Sequence, residues 1–209
     1  MRLSASIDAQ VVVGPVLGAR RLGAWAAHHK DIAVGGMGKL ERIESGAWQR
    51  ASYMVDYRAE WLTDVLVERA SCGAEIRPLA GVDGGLRAPL VAQTGVVWTR
   101  FWFRREGWLI EKYFSPVGRI MGFYAPICGP IEYHAGYLST EWYGLALWIS
   151  EHWRVTVLGE QAFDQASAAG NLPPVALEQA ELRIRELTTL TAQRRFPPAF
   201  VRNFGILTK

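Results

Sequence analysis

Glu111, Lys112 and Tyr113 place a carboxylate, an amine and a phenol at three consecutive positions. Side chains alternate along an extended strand, so Glu111 and Tyr113 share one side and Lys112 takes the other. A carboxylate or ammonium facing the aromatic interior of a β-barrel would have a shifted pKa, which suits proton transfer. The same charges facing outward would make an ordinary wet strand face, and the sequence leaves both readings open. Glu132, His134 and Glu141 lie within ten residues of one another. As Glu-x-His, the first two point the same way on a strand and could serve as two ligands or as an acid/base pair. The competing reading is a solvated hairpin around Ala135-Gly136. Glu111, Lys112, Tyr113 and Glu141 form the candidate catalytic set.

Other constellations carry less. His28-His29 reads as a solvated helix end. Gly35-Gly36-Met37-Gly38-Lys39 lacks the full phosphate-loop spacing, because Leu40 follows the lysine. Cys72 and Cys128 have neither a disulfide framework nor metal-ligand spacing and read as buried thiols. No Ser-His-Asp or Cys-His arrangement has supporting context. Six of the nine tryptophans (98, 102, 108, 142, 148 and 153) fall in a window of 56 residues. Large aromatics either fill a core or wall a ligand cavity. Trp98, Trp102, Tyr124, Trp142 and Tyr143 are the candidate substrate-binding residues under the second reading.

The elements that must position these groups are short and regularly spaced. Stretches rich in β-branched and aromatic residues at 52–58, 64–69, 75–79, 96–103, 108–114, 119–125, 142–149 and 154–158 predict strands. Asp83-Gly84-Gly85, Glu106-Gly107 and Ser115-Pro116-Val117-Gly118 separate them as turns. Strands at this spacing predict an antiparallel barrel or sandwich, with 96–103, 108–114 and 119–125 as a meander. Two helices follow. Residues 160–169 end at Gly170, and 175–195 carry Leu177, Glu181, Ile184, Leu187 and Leu190 on one mostly apolar face until Phe196-Pro197-Pro198 stops them. Phe200, Val201 and Phe204 would pack the tail. The glycine-rich segment 1–50 reads as an extension packed on the barrel, with a strand at 7–13, a helix at 22–29 and a loop at 35–38. Residues 51–209 read as the barrel with its helices. The fold class is mainly β, an antiparallel β-barrel with two C-terminal helices.

The chain of 209 residues is long enough for one good core. Half its residues are hydrophobic and 21% are charged, as in ordinary globular domains. No apolar run approaches a membrane span and no signal-peptide layout opens the sequence, so the expected place is the cytoplasm. The net charge of +3 is spread out, which argues against nucleic acid and is compatible with a small anionic ligand. The expected partner is a small-molecule substrate, with no membrane, no nucleic acid and no cofactor; a homodimer is left open.

The meander carries a resemblance. Val97-Trp98-Thr99-Arg100-Phe101-Trp102-Phe103 and Trp108-Leu109-Ile110-Glu111-Lys112-Tyr113-Phe114 are similar to the central meander of the FomD-like family. Pro116-Val117-Gly118-Arg119 resembles that family's Pro-Asp-Gly-Arg turn, and Gly122-Phe123-Tyr124-Ala125-Pro126-Ile127-Cys128 its glycine–aromatic strand. Arg154-Val155-Thr156-Val157-Leu158, with Phe163 beyond, resembles the closing strand and first C-terminal helix. The resemblance spans about residues 60–200. It implies a barrel whose mouth carboxylates hold a hard divalent cation, which neutralises phosphate charge and activates water during hydrolysis of nucleotides or nucleotidyl-phosphonate esters. The sequence departs from it at the acids. Pro126 stands where the family has Asp or Asn, and Trp142 and Ala146 stand at the two aspartates of Asp-Leu-x-Leu-Asp. None of the three can ligate such an ion, so no metal site is expected.

Three functions therefore stay open. The first is a repurposed, metal-independent barrel enzyme acting on a largely apolar substrate in biosynthesis, by cyclisation, isomerisation or hydrolysis. The second is a metal-dependent phosphohydrolase with ligands recruited from Glu132, His134, Glu141 or the N-terminal segment. The third is a non-catalytic binding protein.

Overall fold

The computed structural model describes residues 40–74 and 93–206. The predicted elements at 7–13, 22–29, 35–38 and 75–79, and the turn at 83–85, lie outside them. The described chain runs β1 (Glu41–Glu44), α1 (Ala47–Arg50), β2 (Met54–Leu62), β3 (Val65–Cys72), β4 (Val97–Phe103), β5 (Trp108–Phe114) and β6 (Ile120–Cys128). It continues through β7 (Glu132–His134), β8 (Tyr137–Ser150), β9 (Val155–Leu158), α2 (Glu160–Ala168), α3 (Pro174–Ala192) and α4 (Ala199–Asn203). The strands form one antiparallel sheet in the order β1-β8-β6-β5-β4-β3-β2, with β7 and β9 also paired to β8, curled into a half-barrel. The predicted all-antiparallel fold with C-terminal helices is present, and β3 to β6 form a continuous meander. Among the described residues no helix is long and apolar enough to cross a membrane.

The two faces of the sheet have different partners. One face carries Phe101, Phe103, Ile110, Phe123, Ile127, Leu145 and Leu147, which pack with Phe163 of α2, Ala180 and Leu187 of α3, and Val201 of α4. The inner face carries two apolar clusters, one around Trp98, Tyr113, Tyr124 and Ala146, the other around Leu66, Trp102, Leu109 and Cys128. Both faces are buried, so β4 and β5 read as near-continuous aromatic runs instead of alternating strands.

β8 is the longest strand and serves two neighbours along one edge. Residues 139–142 pair with β1 and residues 146–149 pair with β9. The switch falls at Gly144, whose φ of +85° is one that side chains resist. Opposite it, Gly159 has φ +88° and lies so close that a Cβ there would stand 2.0 Å from the Gly144 carbonyl oxygen. The chain can leave β9 for α2 at this point only as glycine.

Candidate functional site

The strand register places one transverse row across the inner face: Glu68 on β3, Arg100 on β4, Glu111 on β5, Tyr124 on β6 and Trp148 on β8 are successive cross-strand partners. Cross-strand neighbours on one face approach to about 5 Å, so the three charged groups must meet. They do. Arg100 Nε and Nη2 both donate to Glu111 Oε1, at 2.9 and 2.6 Å. Arg100 Nη1 lies 3.9 Å from Glu68 Oε2. The Tyr113 hydroxyl donates to Glu111 Oε2 in a short hydrogen bond. Glu68 is held from three sides: Trp102 Nε1 donates to Oε2 at 2.6 Å, while the Tyr57 hydroxyl, at 2.9 Å, and the Gly46 amide donate to Oε1. Trp48, from α1, lies over the guanidinium with its ring centroid 4.3 Å from Cζ and meets Trp98 edge-on.

Arg100, Glu68, Glu111 and Tyr113 are each no more than 1% exposed. Burial works against the Arg100 charge, but the carboxylates of Glu111 and Glu68 outweigh it and hold its pKa above the usual value. Burial and then the neighbouring Glu111 charge push the Tyr113 phenol well above its usual pKa. Burial raises the Cys128 thiol likewise, so it is an inert thiol rather than a nucleophile. At the edge of this cluster Tyr53, Tyr57, Met121, Trp148 and Leu158 are partly exposed. Tyr57 therefore links the solvent side to the buried row through Glu68. Tyr57→Phe is expected to lower stability by about 1–2 kcal/mol in urea unfolding, because it removes one donor from a buried carboxylate. An unchanged midpoint would show that this hydrogen bond contributes nothing.

The sequence candidates divide between the two faces. Glu111, Tyr113, Trp98, Trp102 and Tyr124 are brought together on the inner face, where both tryptophans are buried. Trp142 is half-buried beside Cys128 and Leu138, with Nε1 donating to the Leu145 carbonyl at 2.8 Å. Lys112 points to the helix side. Its Nζ donates to the carbonyls of Val201, Arg202 and Phe204 at 2.9, 2.7 and 2.7 Å, which ties the C-terminal end of α4 to the sheet. Burial lowers its pKa to about 8. Tyr143 is also on the helix side, donating to Gln179 Oε1 of α3 at 2.7 Å. Glu141 is exposed and stands outside the buried network. Glu132 and His134 sit on the short β7 hairpin, where His134 Nε2 lies 3.2 Å from Glu132 and 2.8 Å from Arg42 Nη2. Sequence reasoning missed Glu68, Arg100, Tyr57 and Trp48. The signal for Arg100 was its place between Trp98 and Trp102 at a spacing of two, which forces it to the same side as both.

The residues on the inner face do not fit a hard divalent cation. Pro126 and Ala146 are direct cross-strand partners, and Trp142 pairs with Cys128 two residues along β6. The three positions are neighbours, as a metal site would need, but none offers an oxygen ligand from its side chain. The carboxylates of Glu68 and Glu111 are nearby on the same face, but both are turned to the Arg100 guanidinium, whose charge opposes a second cation. Among the described residues no three His, Cys, Asp or Glu side chains gather.

Neither a family model nor a curated protein matches the sequence. Solved structures match the fold. The phosphatase SC4828, crystallised with the non-hydrolysable nucleotide GPCP, aligns at a TM-score of 0.52 and 17% identity over 68% of this chain and 73% of that one. FomD in complex with CDP aligns at a TM-score of 0.50 and 14% identity over 73% of this chain and 87% of that one. The half-barrel with its C-terminal helices is therefore a fold that this chain shares with FomD and with a nucleotide-bound phosphatase.

Proposed function

We propose that this protein is a metal-independent enzyme of small-molecule biosynthesis, which binds a largely apolar substrate against the inner face of the half-barrel. The observation that carries the reading is the Glu68–Arg100–Glu111–Tyr113 row set among Trp48, Trp98, Trp102 and Tyr124, beside Pro126, Trp142 and Ala146. An aromatic wall with a few convergent polar groups suits an apolar ligand. Glu111 is the proton acceptor of the site. Tyr113, kept neutral by burial, is the donor at its other oxygen, and Arg100 fixes the carboxylate in place. Partly exposed Tyr53, Tyr57, Met121 and Trp148 form the rim where the substrate enters. Cyclisation or isomerisation driven by shape, desolvation and one proton transfer fits this equipment.

The competing reading, a nucleotide phosphohydrolase, draws on the folds of SC4828 and FomD. It would need ligands from outside this row. Incubation with a panel of nucleoside di- and triphosphates and Mg²⁺ or Mn²⁺ separates the two. The expected result is no phosphate release above the buffer rate. Turnover that EDTA abolishes would overturn the proposal.

A further inference from the structure

Arg100 holds one donor atom that no described residue engages in a hydrogen bond. Nε and Nη2 are committed to Glu111, but Nη1 has no hydrogen bond among the described residues, although the side chain is 1% exposed. Its neighbour Glu68 Oε2 is at 3.9 Å, beyond hydrogen-bond range. Nor can Glu68 swing in cheaply, because Trp102 holds Oε2 while Tyr57 and the Gly46 amide hold Oε1. A buried donor without an acceptor is costly and calls for an explanation.

We propose that Arg100 Nη1 is the receptor for a neutral carbonyl oxygen of the ligand. This rests on the reading of the inner face as the ligand site and names the polar group that the apolar ligand carries. An anion at Nη1 would stand beside the Glu68 carboxylate and be repelled by it. A hydroxyl would bring a further donor to a spot walled by the rings of Trp48 and Trp98. A carbonyl accepts and brings no donor. Trp48, on the four-residue α1, lies over the face of the guanidinium and leaves its in-plane N–H groups to a ligand.

The test titrates the intact protein, followed by tryptophan fluorescence, with three probes: benzylacetone, its hydrocarbon isostere in which methylene replaces the carbonyl oxygen, and hydrocinnamate. The ketone is expected to bind about tenfold tighter than the isostere, as befits one hydrogen bond from a charged donor. The carbonyl ¹³C resonance of the bound ketone is expected downfield of its free position. Arg100→Lys keeps the positive charge but loses the fork. It is expected to bring ketone and isostere within about twofold of each other. Equal binding of ketone and isostere to the unaltered protein would overturn the role of Arg100 and leave the apolar site standing. Tighter binding of hydrocinnamate than of the ketone would overturn the neutral-carbonyl assignment. Binding of none of the three would overturn both readings.

Discussion

Arg100→Met is expected to destabilise the fold by about 3–5 kcal/mol, the usual cost of removing one member of a buried ion network. The guanidinium stands between Glu68 and Glu111 on adjacent strands, and both carboxylates are buried. Methionine fills the stem volume, so the loss reports the charge and not a cavity. Two further changes sharpen the result. Adding Glu68→Gln and Glu111→Gln to Arg100→Met is expected to recover most of the loss, since a neutral row no longer needs the cation. If the single variant unfolds at the same urea midpoint as the parent, Arg100 does not hold this face together.

The second large effect belongs to Lys112. Lys112→Met is expected to cost about 1.5–3 kcal/mol, because the ammonium bonds three backbone carbonyls at the end of α4. The loss should be local: amide exchange across Ala199–Asn203 should speed up more than exchange in β4 or β5. Lys112 also gives the protein a pH signature with a definite sign. Its folded pKa is about 8 against an ordinary value of 10.5. Between these values the unfolded chain holds a proton that the folded chain releases, so stability from this group rises with pH across that window. Urea midpoints at pH 7.5 and pH 10 measure it. The rise should be present in the parent and missing in Lys112→Met; a parent whose stability falls across the window through this residue would contradict the burial argument.

The fold was largely legible because its strands are locally consistent. β5 was expected at 108–114 and is found there, and β4, α2 and α3 differ from their expected ends by one to three residues. β6 was expected to stop at 125 but continues to Cys128 through Pro126. A proline inside a strand normally argues against the strand. Here it sits next to a register shift in the pairing with β8, where the lost amide donor is tolerated. β8 was expected to begin at 142 and begins at Tyr137, since Ser139, Thr140 and Glu141 lack the apolar pattern while their backbones are engaged by β1 and β7. β1 and α1 were not foreseen at all. Four residues of strand have no period to read, and Gly46 at φ +77° bends the chain into α1.

The site was legible only in part, for a different reason. Alternation correctly separates Glu111 and Tyr113 from Lys112. It does not tell which side is wet, and here neither is, because helices cover the side that Lys112 faces. Alternation also puts Tyr143, three residues from the inner-face Ala146, on the opposite side, where it reaches Gln179 of α3. The partnership of Glu68 with Arg100 depends on register between strands that lie far apart in the sequence, and no local pattern encodes it.

The proposed metal independence of the inner face rests on Glu68 and Glu111 both being engaged by Arg100 and by neighbouring donors. Titration with Mn²⁺, followed by the electron paramagnetic resonance of the free ion, in the presence and absence of CDP, tests this most directly. The free-ion signal is expected to grow in proportion to added Mn²⁺ under both conditions, as in buffer or in buffer with CDP alone. Uptake of one ion per chain at micromolar concentration would contradict it.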